Sequence, residues 1–239
     1  MTLPKNAADQ YYPTILLRQY NQTALDTSDV VAWYDAEHTY KDRRFRVPAA
    51  SGDDLEIIED ISGHERHMFP ASQYRITRSA AFGYATVCTL QSTDYEESMR
   101  TYQHFPSTMQ IGVAYSPTTT WDGYGVLVGR YSSGSYDRTY LFNSGWTGAF
   151  YSSPEGIQRR NGVAQSVGDR VNPIDQRNIY VFGHRNSGLA MQWTLGKQDN
   201  STVALHIFEV ALFSSIPALS VIEEWEQYFS EKYDIPLGV

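Results

Sequence analysis

The chain has 239 residues, with 19 lysines and arginines against 27 aspartates and glutamates, a net charge of -8 and 41% hydrophobic residues. That balance argues against a nucleic-acid partner, since phosphate-backbone affinity rests on clustered cations; the small group Arg43, Arg44 and Arg46 reads as a solvated loop. No apolar run approaches the length of a membrane span, and with Cys88 as the sole cysteine no internal disulfide is possible.

Residues 1–28 show no clear period. They hold Pro4, Pro13, three tyrosines and the triplet Ile15-Leu16-Leu17. They read as an extended N-terminal arm clipped to a partner, against the usual disorder of termini. The start, MTLPKNAADQYYP, has neither the basic end nor the apolar core of a secretory signal. Synthesis in a cytoplasm is therefore expected, and the sequons at Asn21 and Asn200 read as coincidence.

From 29 to 239 the chain reads as one domain. VVAWYDA (30–36) is a strand, 41–54 a loop with Pro48 and Gly52, and 55–61 a strand turned by Ser62-Gly63. Strands follow at 83–90 and 109–115, with a polar loop or helical turn at 92–102. Cys88, in the first of these, reads as a buried thiol. Segments 125–131, 138–143 and 148–152 make a meander with Gly/Ser turns. Segment 158–163 contains Asn161-Gly162, the strongest short hairpin signal. Strands at 178–183 and 191–195 come next. About ten short strands with such turns predict a sandwich or barrel.

The end of the chain is different. Residues 206–213 are rich in apolar residues, and only Glu209 interrupts them with a carboxylate. They predict a strand buried on both faces, on which Glu209 needs a partner or an edge. Ser220 and Glu223 have capping-box spacing. Leu219, Ile222, Trp225 and Phe229 form one apolar stripe at helical spacing. Glu223, Glu224 and Glu226 near the start and Lys232 near the end suit the helix dipole. Pro236 stops the helix. Its stripe must lie on a sheet or cover an open sandwich end.

Few residues suggest chemistry. His64-Glu65-Arg66-His67 lacks the two-histidine spacing of a zinc helix and reads as a surface loop. The aromatic turns are more informative. Trp121-Asp122-Gly123-Tyr124 and Gly145-Trp146-Thr147-Gly148 put large rings at hairpin tips, and Tyr131 and Tyr136 flank a Ser/Gly turn. Sugars stack on such rings, and protein partners use them as anchors. Trp121, Asp122, Tyr124, Tyr131, Tyr136 and Trp146 are therefore the candidate ligand-binding residues, with rings folded back on the core as the alternative.

The segments VVAWYDA, IEDISGHERH, RNGV and HIFEVALF, followed by LSVIEEWEQYFSEKYDIPL, resemble in order the landmarks of concanavalin A-like lectin/glucanase domains. The nearest type is the laminin G-like group of bacterial surface proteins and tailed-phage virion proteins. Trp33, Asp35 and Ala36 match a Trp-x-Asp-Ala strand. Asp60, Ser62 and Gly63 match an Asp-x-Ser-Gly-x-Gly turn, with Glu65 in place of the second glycine. The resemblance covers roughly 28–237. It implies an all-β, antiparallel two-sheet jelly-roll sandwich with one C-terminal amphipathic helix.

Glucanases of this superfamily carry Glu-x-Asp-x-x-Glu on a strand. Here Asp54, Glu56 and Glu59 give a swapped version, early in the chain, which reads better as an acidic strand edge. No cofactor is expected; calcium on Asp53, Asp54, Glu56, Glu59 and Asp60 is a lesser alternative. The resulting expectation is a structural or adhesion protein on a phage virion surface, as a capsid decoration, fibre or tail module, and not an enzyme. Its arm would bind other virion proteins or copies of itself, and its sandwich would contact host glycans. A carbohydrate-binding module or lectin is the alternative, and a glycoside hydrolase using the acidic strand a third.

Overall fold

The computed structural model describes residues 25–71, 76–80, 88–92, 98–115, 124–125, 128–131, 142–143, 149–150, 157–166, 176–184, 190–196 and 205–238. In chain order these form β1 (Val30–Asp35), β2 (Thr39–Tyr40), β3 (Ile57–Ile58), β4 (Met68–Pro70), β5 (Thr77–Ala80), β6 (Cys88–Ser92), β7 (Ser98–Thr101) and β8 (Met109–Tyr115). Then come β9 (Tyr124–Gly125), β10 (Val128–Tyr131), β11 (Phe142–Asn143), β12 (Ala149–Phe150), β13 (Gln158–Arg160), β14 (Val163–Ala164), β15 (Asn178–Gly183), β16 (Gln192–Gly196), β17 (Leu205–Phe213) and helix α1 (Leu219–Tyr233).

Two antiparallel sheets dominate. One has the order β14-β13-β15-β8-β17-β6-β5, with β1 also paired to β17; the other runs β10-β16-β7-β4-β3-β2. A small third sheet joins β12, β11 and β9. The sequence reading of a mostly β chain with one C-terminal helix holds at this level.

Alternation along β8 explains the layers. Ala114 points into a core shared with Met68, Met99, Val128 and Trp193 of the six-stranded sheet. Met109, Ile111 and Val113 point the other way, into a second core completed by Ile222, Trp225 and Phe229 of α1. A strand covered on both faces needs apolar residues at successive positions, which is why 206–213 lacks simple alternation. Each such side chain stabilises the fold by about 1.5–3 kcal/mol on burial. Gln110 is the polar exception on β8. Its amide nitrogen donates to the Val128 carbonyl (2.9 Å) and its amide oxygen accepts from the Val128 N–H (3.1 Å), so it stitches one sheet to the other.

The helix start differs from expectation. α1 begins at Leu219, and its N-cap is Ala218, with no side-chain cap. The Ala218 carbonyl already accepts from the N–H groups of Val221 and Ile222. Ser220 therefore lies inside the first turn, and the Ser220–Glu223 capping box does not form. Leu219 is 52% exposed, so the buried stripe begins at Ile222. Past the other end, Asp234 adopts a left-handed conformation (φ 53°) and its cap N–H reaches the Ser230 carbonyl. Among the strands, the expected 55–61 contracts to β3, and the last part of the expected loop 92–102 is β7, which buries Met99. Neither β4, short and ending in proline, nor β5 was legible as a strand.

Candidate functional site

Among the described residues, the most concentrated polar chemistry lies between the eight-stranded sheet and α1. The pairing of β17 with β8 shifts register between Ile207 and Glu209. This bulge turns two successive side chains, Phe208 and Glu209, towards α1. Oε1 of Glu209 accepts from the Trp33 indole (2.6 Å) and the Tyr228 hydroxyl (3.1 Å). Oε2 accepts from Lys232 Nζ and the Tyr233 hydroxyl, both at 2.6 Å. On β1, Asp35 Oδ1 accepts from the N–H groups of Glu37 (2.7 Å) and His38 (2.9 Å) and bonds His38 Nδ1 (2.8 Å).

The charges follow from these contacts. Burial works against the Lys232 ammonium, but Glu209, Tyr228 and Asp35 outweigh it and raise its pKa far above the ordinary value. Burial would also raise Asp35, yet the hydrogen bond and charge of His38, with Lys232 behind them, hold it below the usual range. For Glu209, burial pushes the pKa up, and Lys232 and Tyr233 resist. The two partners thus pull in different directions. We take Glu209 as ionised, because the Trp33 indole and the Lys232 ammonium only donate and need a carboxylate between them.

A phenol 2.6 Å from a carboxylate has the parts of a base-assisted nucleophile. The surroundings rule that role out here. Glu209 and Tyr233 are both buried. Burial first, then the charges of Glu209 and Asp35, push the Tyr233 phenol well above its ordinary pKa, the reverse of activation. This network bolts α1 to the sheet.

A second bolt joins α1 to the Asn161-Gly162 hairpin. Arg159 Nε bonds both oxygens of buried Glu226 (3.1 and 3.0 Å), and its Nη2 bonds Oε2 (2.9 Å). The Gly162 N–H donates to the same carboxylate (3.1 Å). Asn161 and Gly162 both have positive φ, 49° and 83°, the signature of a two-residue hairpin turn. The sequence showed the hairpin, but read Glu226 only as an acid near the helix start and not as the partner of Arg159.

The Asp-x-Ser-Gly turn is a third clamp. Asp60 Oδ1 accepts from the N–H groups of Trp33 (2.9 Å) and Ser62 (3.0 Å), and Oδ2 from that of Arg66 (2.9 Å). Arg66 continues to the Val31 carbonyl and lies over the Phe105 ring at 4.4 Å. His67 Nδ1 accepts from the Asp60 N–H (3.0 Å), and His64 Nε2 sits 3.0 Å from the Val30 carbonyl. The expected surface loop is thus strapped to β1.

The acids proposed for hydrolysis or calcium are dispersed among separate partners. Asp53 pairs with Lys41 (3.0 Å), Glu56 with Arg43 (2.9 Å), and Glu59 accepts from the Tyr40 hydroxyl (2.9 Å). Among the described residues no group of three or more His, Cys, Asp or Glu side chains could hold a metal ion.

An open surface feature lies on the far side of the six-stranded sheet. Met68 and Met99 point into the core. Alternation then turns Phe69, Arg100 and Tyr102 outward. Phe69 pairs with Arg100 in register. Phe69 and Tyr102 are thus diagonal neighbours on one face, within reach of aromatic contact. Their rings stack at 4.7 Å and 10°, and Tyr102 is 61% exposed. Gln192 donates to the Tyr102 carbonyl (3.2 Å). Arg43 is held protonated first by its hydrogen bond to Glu56 and then by that carboxylate's charge, with Tyr102 close enough to add to the effect. This stack was not legible in the sequence, because β4 was not recognised as a strand.

Of the expected ligand-binding residues, Trp121, Asp122, Tyr136 and Trp146 lie outside the described residues. The backbone of Tyr124 opens β9, opposite Asn143 of β11. That of Tyr131 ends β10, opposite Gln192, the residue that holds Tyr102.

No family model matches the sequence, and no curated protein does. Among solved structures, the chain is similar to the sialidase of Trypanosoma rangeli in complex with 2,3-difluorosialic acid as a covalent intermediate. The identity is 11% and the TM-score 0.47, over 97% of this chain and 38% of that one. The same sialidase with the inhibitor DANA matches at 8% identity and TM-score 0.48, over 92% and 37%. A mutant of it displaying trans-sialidase activity matches at 9% and 0.46, over 97% and 38%. The chain thus spans less than two fifths of the length of these structures. The expectation that this protein is not an enzyme is corrected by these matches, every one of which is an enzyme. At such identities and TM-scores, no residue role or substrate carries over from them.

Proposed function

We propose that this domain is a carbohydrate-recognition and adhesion module that binds glycan on the outer face of its six-stranded sheet. The observation that carries this reading is the exposed Tyr102 ring, backed by Phe69. A ring stacked on one side presents its other face to a pyranose at little entropic cost. Arg43, Glu56 and Gln192 supply charged and amide groups for the hydroxyls. The backbone of Tyr131 lies opposite Gln192, and we take Tyr131 together with Trp121, Asp122, Tyr124, Tyr136 and Trp146 as further ligand-binding residues. The fold we propose for the domain is the concanavalin A-like jelly roll, supported by the two antiparallel sheets and the terminal helix.

The setting we propose is the exterior of a phage particle, with residues 1–28 as the anchor to other virion proteins or to copies of the chain. The resemblance of the sequence landmarks supports it, and mass spectrometry of purified particles tests it. Titration of the full chain against an oligosaccharide array tests the site. Tyr102→Ala should weaken binding by about tenfold or more, equivalent to about 1.4 kcal/mol, without lowering thermal stability. Undiminished glycan binding by Tyr102→Ala would remove this face from consideration.

A further inference from the structure

We propose that His38 is a pH-sensitive latch on the C-terminal helix: protonated, it completes the charge balance of the Asp35–Lys232–Glu209 network and tightens α1 against the sheet; neutral, it lets α1 loosen.

The argument starts from a chain of contacts that runs from solvent to the buried helix face. The His38 side chain is 22% exposed, so protons reach it. Its Nδ1 lies 2.8 Å from Asp35 Oδ1, and Asp35 Oδ2 lies 3.8 Å from Lys232 Nζ. Lys232 lies 2.6 Å from Glu209, which also holds Tyr228 and Tyr233 of α1. Asp35 and Glu209 each carry one negative charge and Lys232 one positive charge. With neutral His38 the network keeps one uncompensated negative charge in a buried place, where such a charge is costly. Protonated His38 cancels it.

The groups acting on His38 agree in sign. Asp35 faces it from β1, Glu37 adjoins it, and Glu59 acts on it from the segment after β3; all three favour the cation. Burial opposes them and is outweighed, so the His38 pKa is raised in the fold. A group raised in this way contributes stability that is fully present below its unfolded pKa, near 6.5, and is lost as pH rises through the folded value. The latch is therefore fully closed below about pH 6.5 and opens as pH rises through the raised folded value.

The test uses the full chain. Urea unfolding is followed at about pH 6 and about pH 8.5 for wild type and for His38→Gln, which keeps a donor towards Asp35 but cannot titrate. The folded-to-unfolded ratio of wild type should be severalfold higher at the lower pH by an amount that His38→Gln lacks. The difference between the two proteins isolates His38 from the other histidines. Hydrogen exchange of α1 amides, corrected for intrinsic rates, should slow towards pH 6 in wild type and not in the variant. An identical pH response in both proteins would overturn the proposal. So would a proton NMR titration of the wild-type His38 ring showing no pKa above about 6.5, a measurement that stands even where the variant folds poorly.

Discussion

Asp35 and Glu209 face each other across β1 and β17, and Lys232 of α1 reaches both, at 3.8 and 2.6 Å. Like charges directly opposite on neighbouring strands repel. Here the repulsion is answered from outside the sheet, by a lysine on the last turn of the helix. The helix is thereby the counter-ion of the sheet as well as its apolar cover. Trp33 ties the two functions together. Its indole bonds Glu209 while its ring meets the edge of Trp225 at 5.0 Å.

Removing that lysine should be expensive. Lys232→Met keeps the length and apolar stem of the side chain but leaves two buried carboxylates without their shared cation. Breaking a buried pair in this way costs about 3–5 kcal/mol. Urea unfolding near neutral pH should show a loss of that size, with altered near-ultraviolet signals from Trp33 and Trp225. Adding Glu209→Gln to Lys232→Met should return part of the stability, because it removes one stranded charge. Equal losses in the single and the double variant would show that the charges are not what couples β17 to α1.

The sequence made much of this visible, for physical reasons. A carboxylate in the middle of an apolar strand has to be paired, so Glu209 stood out before any partner could be named. Asn161-Gly162 was legible because few dipeptides tolerate two successive left-handed residues. The helix was legible from its period. Its partners were not: Arg159 and Glu226 are 67 positions apart, and the pairing depends on where the hairpin lands. The bulge that aims Glu209 at α1 leaves no pattern of its own. The Phe69–Tyr102 stack was hidden because register, and not composition, brings those two rings onto one face.

The Arg159–Glu226 pair should behave as a unit. Glu226 is 1% exposed and bonds Arg159 and the Gly162 N–H together. Either Arg159→Met or Glu226→Leu alone should destabilise the chain by about 3–5 kcal/mol. The two combined should cost clearly less than the sum, since neither charge is then stranded. A double-mutant cycle by urea unfolding measures this coupling. Additive losses would mean that the hairpin docks through Leu237 and the apolar contacts beside it, and not through this ion pair.

Glu65 is the one place in the Asp60 turn where the sequence departs from the resemblance, and the backbone shows what the departure costs. Its φ is 57°, in the left-handed region, beside Gly63 at 88°. A residue with a side chain is disfavoured there by about 1–2 kcal/mol, and glycine is not. Glycine in turn loses more freedom on folding, by about 0.4–1 kcal/mol. Glu65→Gly should therefore leave stability unchanged or raise it by up to about 1.5 kcal/mol. The Glu65 carbonyl still accepts from Gln103, at 2.9 Å, in the variant, since that contact is made by the backbone. Thermal unfolding checks the sign. A loss of more than about 1 kcal/mol would show that the Glu65 side chain makes a contribution outweighing its backbone strain. The turn would then owe its shape to more than the three N–H groups that Asp60 gathers.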